Sequence, residues 1–133
     1  VYRCFEAGGL ATGSKVAITG GDKPYAEMHH DADIADLYRG NSEALGRPFP
    51  SLGEWETRPT GSTDMGNVSR AVPSIHPMIG INSLPAVNHQ PEFAAHCVTA
   101  DADKALADGA LAMAWTCIDL ARNHEVRERL LAR

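Results

Sequence analysis

Thr60-Gly61-Ser62-Thr63-Asp64-Met65-Gly66-Asn67-Val68-Ser69-Arg70-Ala71-Val72-Pro73, followed by Ile75-His76-Pro77-Met78-Ile79-Gly80-Ile81 and then Asn88-His89-Gln90-Pro91-Glu92-Phe93, is the stretch that decides how the rest of the chain is read. Its pattern predicts a small-residue turn opening a short helix, a brief apolar strand, and a loop that presents a histidine. Gly61, Ser62 and Thr63 occupy little space, so backbone N–H groups at a helix start there can approach an anionic group closely, favoured by the positive end of the helix. Ser62, Thr63 and Asp64 are equally ordinary helix-capping residues that need no ligand. Pro73 stops the helix after little more than two turns. His76 and His89 flank the predicted strand, and imidazole is the commonest metal ligand as well as a common solvated loop side chain.

Working outward, 133 residues suffice for one domain with a substantial core. A formal charge of −5 leaves no electrostatic footprint for nucleic acid or an anionic membrane. No apolar run approaches the ~20 residues needed to span a bilayer, and the start does not read as a signal peptide. The three cysteines, Cys4, Cys97 and Cys117, share no CxxC spacing, so neither a disulfide framework nor a zinc knuckle is indicated, and a reducing cytoplasm is the simpler setting. The chain opens on Val1 without a methionine, at the start of a predicted helix, which suggests a fragment or a processed piece of a longer protein.

Upstream, residues 2–12 permit a short helix with Gly13 as its C-cap, and residues 15–19 alternate as a strand with Val16 and Ile18 on one side. Gly20, Gly21 and Pro24 form a linker. His29 and His30 beside Asp31 are not expected to share a metal, because neighbours on extended backbone point in opposite directions. Asp31 or Asp33 starts the next helix, whose face holds Ile34, Leu37, Tyr38, Asn41 and Leu45, and Gly46 and Pro48 stop it. Asn41, the polar member of that face, needs a hydrogen-bond partner if buried. Residues 46–60 read as a long connection anchored by Trp55. Downstream, Asp101 and Asp103 open the longest helix, predicted to run to Arg122 with a core stripe of Leu106, Ala110, Met113, Cys117 and Leu120. Met113 and Trp115 are read as core, Cys117 as a small buried hydrophobe, and His96 as structural. Asn123 restarts a charged terminal helix. Helices alternating with short strands predict an α/β layer arrangement.

The succession Gly-Ser-Thr-Asp-Met-Gly-Asn-Val-Ser (61–69), Val-Pro-Ser-Ile-His-Pro (72–77) and His-Gln-Pro-Glu-Phe (89–93), followed by an Ala-rich helix, resembles the C-terminal end of the zinc-dependent amidohydrolases of metallopeptidase family M-twenty. That family includes aminoacylases, glutamate carboxypeptidases, p-aminobenzoyl-glutamate hydrolases and indole-acetyl-amino-acid hydrolases. The likeness extends to Cys-Phe-Glu-Ala-Gly-Gly-Leu-Ala-Thr-Gly (4–13) and Pro-Tyr-Ala-Glu-Met (24–28), so it covers nearly the whole chain. The resemblance implies that residues 1–22 close a ferredoxin-like lid or dimerisation domain and that residues 23–133 are the C-terminal part of a zinc-peptidase-like α/β catalytic domain.

It further implies two divalent metal ions, zinc in the family, a small amide or peptide substrate, and a homodimer. His89 matches the family's last metal ligand. Gly61, Ser62, Thr63 and Asp64, with Asn67 in the helix that follows, match a loop beside the metals that contacts substrate. Asp64 is open to a second role, orienting a neighbouring histidine, and His76 to donating a hydrogen bond to substrate or to a structural one. The remaining ligands and the glutamate base have no counterpart here, so no catalytic residue is assigned within this chain and the piece alone is expected to be inactive. A non-catalytic binding or assembly module that keeps the fold is the alternative. A phosphate-binding α/β domain is a weaker one, lacking the P-loop lysine and spacing.

Overall fold

The longest element of the computed structural model, which describes residues 1–21, 25–49 and 63–132, is a helix whose two ends are written plainly in the sequence. The order of helices is α1 (Tyr2–Thr12), α2 (Ala32–Ala44), α3 (Met65–Ala71), α4 (Pro91–His96), α5 (Ala100–Arg122) and α6 (His124–Leu131). Thr99 caps α5 by accepting from the Ala102 N–H at 3.3 Å, and Asp101 and Asp103 lie in its first turn, where the helix dipole favours them. Asn123 ends α5 and caps α6 at once, its side chain accepting from the Val126 N–H at 3.2 Å.

Helix α2 packs on α5. Asp31 caps it by accepting from the Ile34 N–H at 3.3 Å, and it closes before Gly46, whose φ of 76° is left-handed. Ile34, Tyr38 and Ser42 are its buried residues, one per turn. Asn41 has the partners its position demands: Nδ2 donates to Thr116 Oγ1 at 3.2 Å and to Asp119 Oδ2 at 2.8 Å. Where α2 ends, the Tyr38 ring meets Phe49 edge-on, 6.2 Å between centroids, and the Arg39 guanidinium sits over the other ring at 5.1 Å.

The face that α5 turns to α2 is not the expected one. Ala105, Ala112 and Thr116 are buried, whereas Leu106 is 74% exposed, Met113 53% exposed, and Ala110 and Cys117 are exposed as well. Of the expected stripe only Leu120 is half-buried, and Trp115 is half-buried too. The two stripes share one periodicity and differ by a rotation about the helix axis, which spacing alone does not determine. Small side chains win the α2 side because they admit the bulk of Tyr38 and Ile34.

Helix α6 returns to the start of α2. Arg129 donates from both terminal nitrogens to the Asp31 carboxylate, at 3.0 and 2.7 Å, and its Nε lies 2.8 Å from Asp33 Oδ2. The Asp31 N–H in turn donates to the Ser74 carbonyl at 3.0 Å, beside a parallel bridge between His30 and Ser74. That isolated bridge is the only β pairing among the described residues, and they are otherwise mainly helical, so the expected α/β layering is not formed there. Residues 15–19 follow the left-handed cap Gly13, as expected, but form no strand; Val16 and Ile18 stay 44% and 43% exposed. A β-ladder needs a neighbour for its N–H and C=O groups, and the described residues supply none. Residues 75–81 likewise form no strand, yet their burial alternates strictly: Ile75, Pro77, Ile79 and Ile81 are half-buried, while His76, Met78 and Gly80 are exposed. Trp55 and residues 50–60 of the expected long connection lie outside the described residues.

Arg47 couples these pieces, donating from Nε to Asp108 Oδ2 of α5 at 2.6 Å and from a terminal nitrogen to the Gly80 carbonyl at 3.0 Å. Hydrogen bonds from Lys104 first, and Arg47 next, hold the Asp108 carboxyl below its ordinary pKa. A carboxylate depressed on folding stabilises the fold fully above the unfolded value of about 4, and that contribution disappears as pH falls through the folded pKa. The Asp108→Asn variant is therefore expected to be less stable than the parent at neutral pH and to lose less on acidification below about pH 4, as read from thermal melts across that range.

Candidate functional site

Helix α3 is seven residues long, stops before Pro73 as expected, and is fastened along one side to residues 25–29. Thr63 Oγ1 accepts from the Met65 N–H at 3.3 Å. Asp64 is the N-cap residue but makes no capping bond; its carboxylate accepts from the Tyr25 hydroxyl at 2.9 Å. One turn on, Asn67 Oδ1 accepts from the Ala26 N–H at 2.8 Å. Ser69 Oγ accepts from the His29 N–H at 2.9 Å and donates to the Gly66 carbonyl at 2.7 Å. At the exposed end, Arg70 pairs with Glu27, whose carboxyl is held below its ordinary range by a backbone hydrogen bond and then by the guanidinium charge.

Two of the residues matched to a substrate loop, Asp64 and Asn67, thus hold the chain segment that enters α2. Gly61 and Ser62 lie outside the described residues, so the anion-cradling turn is not part of this geometry. Sequence reasoning missed Gly66. A Cβ placed there would stand 1.9 Å from the Ala26 carbonyl oxygen, so the close approach of residues 25–29 requires a glycine. The signal was present: a glycine inside so short a helix is costly unless something packs against it.

His76 is exposed, on the outward side of the alternating segment. His89 is also exposed and adopts φ 65°, a left-handed conformation that Asn, Asp and His tolerate better than other side chains. It stands just before Gln90, the N-cap residue of α4, and Pro91, its first residue. Close by, an open hollow of about 330 Å³ is lined by Ser83, Pro85, Ala86, Gln90, Glu92 and His96. His96, read as structural, forms part of that wall. His29 and His30 are engaged through their backbones.

Among the described residues no three His, Cys, Asp or Glu side chains converge on a point that could hold a metal ion. A catalytic zinc takes about three protein ligands, so the described residues do not by themselves make such a centre, and His89 offers one ligand at most. All three cysteines are free and exposed; for Cys117 this corrects the expected burial and follows from the rotation of α5. No helix among the described residues is long and apolar enough to cross a membrane.

Neither a family model nor a solved structure matches the chain. Its sequence is 35% identical to human Xaa-Arg dipeptidase over 125 residues, which are 94% of this chain and 28% of that protein. It is 34% identical to mouse Xaa-Arg dipeptidase over 117 residues, 88% of this chain and 27% of that protein. The chain is related to peptidases over nearly its whole length. It spans little more than a quarter of the length of these relatives. This relationship agrees with the peptidase and amidohydrolase resemblance drawn from the motifs.

The contact between α3 and residues 25–29 gives a paired expectation. Gly66→Ala should lower stability by about 1–3 kcal/mol, because backbone must move. Gly40→Ala, in α2 where an added Cβ meets nothing within 4 Å, should raise stability by about 0.5–1 kcal/mol. Urea unfolding of the two variants beside the parent measures both signs.

Proposed function

We propose that this chain is the C-terminal part of a metal-dependent amidohydrolase of the M-twenty type, hydrolysing the amide bond of N-acyl or N-aroyl amino acids or of dipeptides. The observation that carries this reading is the 35% identity to an Xaa-Arg dipeptidase across 94% of the chain. In this reading His89 supplies one ligand to a pair of divalent ions, zinc by family likeness, whose other ligands belong to the rest of the protein. An exposed imidazole on a left-handed turn suits that part, since its ring is not spent on an internal contact.

Hydrolysis of an unactivated amide needs an attacking water, stabilisation of the oxyanion and a proton for the leaving amine. The groups that activate the water and move the proton lie outside these residues, so the 133 residues alone hydrolyse nothing. What this chain's residues do is position. Asp64 and Asn67 fix the start of α3 to residues 25–26, which supports a positioning part for that helix.

The deciding experiment measures metal content and turnover of the longer protein on dipeptides ending in arginine and on N-acetyl amino acids. His89→Asn is the substitution to compare, because asparagine keeps the left-handed turn and removes only the imidazole. The expected result is loss of bound metal and a fall in turnover greater than the ~10–100-fold cost of losing a residue that merely supports a ligand. Unchanged metal and turnover in that variant would remove His89 from the site. A longer protein that neither binds stoichiometric metal nor cleaves these substrates would favour the non-catalytic module.

A further inference from the structure

Among the described residues two that are not glycine take a left-handed backbone, Asn82 at φ 57° and His89 at φ 65°, and both belong to one loop, residues 82–90. A residue with a Cβ holds that conformation only where its surroundings fix it. The upstream end of the loop is fixed twice. Asn82 Nδ2 donates to Asp101 Oδ2, in the first turn of α5, at 2.9 Å. Ser83 is buried; its hydroxyl donates to the Ala86 carbonyl at 2.9 Å and the Ala86 N–H donates to the Ser83 carbonyl at 2.8 Å, so residues 83–86 form a closed ring.

The downstream end depends on Gln90. It is the N-cap residue of α4, where a side chain ordinarily accepts from an amide of the first turn, yet it makes no capping bond. Its side chain is turned back along the loop instead: Oε1 accepts from the Val87 N–H at 3.4 Å, across Asn88 and His89. Residues 87–90 are thereby closed into a second ring, and His89 lies within it with its imidazole exposed.

We propose that Gln90 is a positioning residue for His89: by spending its side chain on the loop and not on α4, it holds His89 in the left-handed turn and so sets the direction of the imidazole. This rests on the reading of His89 as a metal ligand. A ligand ordered during folding does not have to be ordered on binding, so that entropy is not subtracted from affinity. Gln90 is itself exposed, so replacing it leaves the buried residues untouched.

The test uses the longer protein with Gln90→Met, which keeps the length of the side chain and removes the acceptor, beside Gln90→Glu, which keeps an acceptor oxygen. The readouts are amide exchange of residues 86–90 in metal-free protein, followed by mass spectrometry, the zinc dissociation constant by chelator competition, and the melting temperature. Gln90→Met is expected to speed exchange in that segment and to weaken zinc binding by about 10–100-fold, with the melting temperature within about 2 °C of the parent. Gln90→Glu is expected to keep both exchange and zinc affinity near the parent's. Parent-like exchange or parent-like zinc affinity in Gln90→Met overturns the proposal, as does equal weakening in the two variants. A longer protein that binds no zinc, or whose His89→Asn variant still binds it fully, sinks the metal-ligand reading instead; the exchange comparison in metal-free protein then decides by itself whether Gln90 holds the turn.

Discussion

One carboxylate organises the described structure. Asp31 caps α2, receives the fork of Arg129 from α6, and belongs to the residue whose N–H reaches the Ser74 carbonyl. Its side chain is only 6% exposed, and an aspartate so enclosed is tolerable because every face of it has a donor. Removing Arg129 would leave that enclosed carboxylate short of donors, which is destabilising even though the guanidinium itself is 38% exposed. Helix α2, helix α6 and the segment after α3 therefore share a single fixed point.

From that point the candidate site follows by short steps. Residues 25–30 run from the linker to Asp31, and α3 grips them through Asp64, Asn67 and Ser69. The face of α3 that resembled a substrate-binding surface is thus also a mechanical one. A side chain that anchors backbone cannot move freely to a ligand, and Asp64 and Asn67 act here by fixing residues 25 and 26 to α3.

The chain's punctuation was legible and its orientation was not. Asp31, Gly13, Gly46, Pro73 and Asn123 each act through local backbone chemistry, and each stands where that chemistry requires, so the ends of the helices could be read one residue at a time. Asn41 was legible for a different reason: a polar side chain on an apolar face has few choices, and Thr116 and Asp119 are what it found. The stripe of α5 was misplaced because a second stripe with the same spacing exists, and only the neighbour decides between them. The expected strands failed for a related cause. Residues 15–19 and 75–81 have the right alternation, but a strand is a property of two segments and alternation describes one. Within the site, Asp64 and Asn67 could be singled out by likeness, while their true partners, 39 and 41 residues earlier, left no local trace.

The bond between Arg129 and Asp31 spans 98 residues of chain. During synthesis α6 emerges after everything it holds, so the carboxylate at the head of α2 stays hydrated until the last turns have formed and swung back at Asn123. Closing so long a loop is entropically unfavourable until the intervening helices have shortened the distance. The last eight-residue helix is thus a latch, engaged only once the body it secures is already assembled.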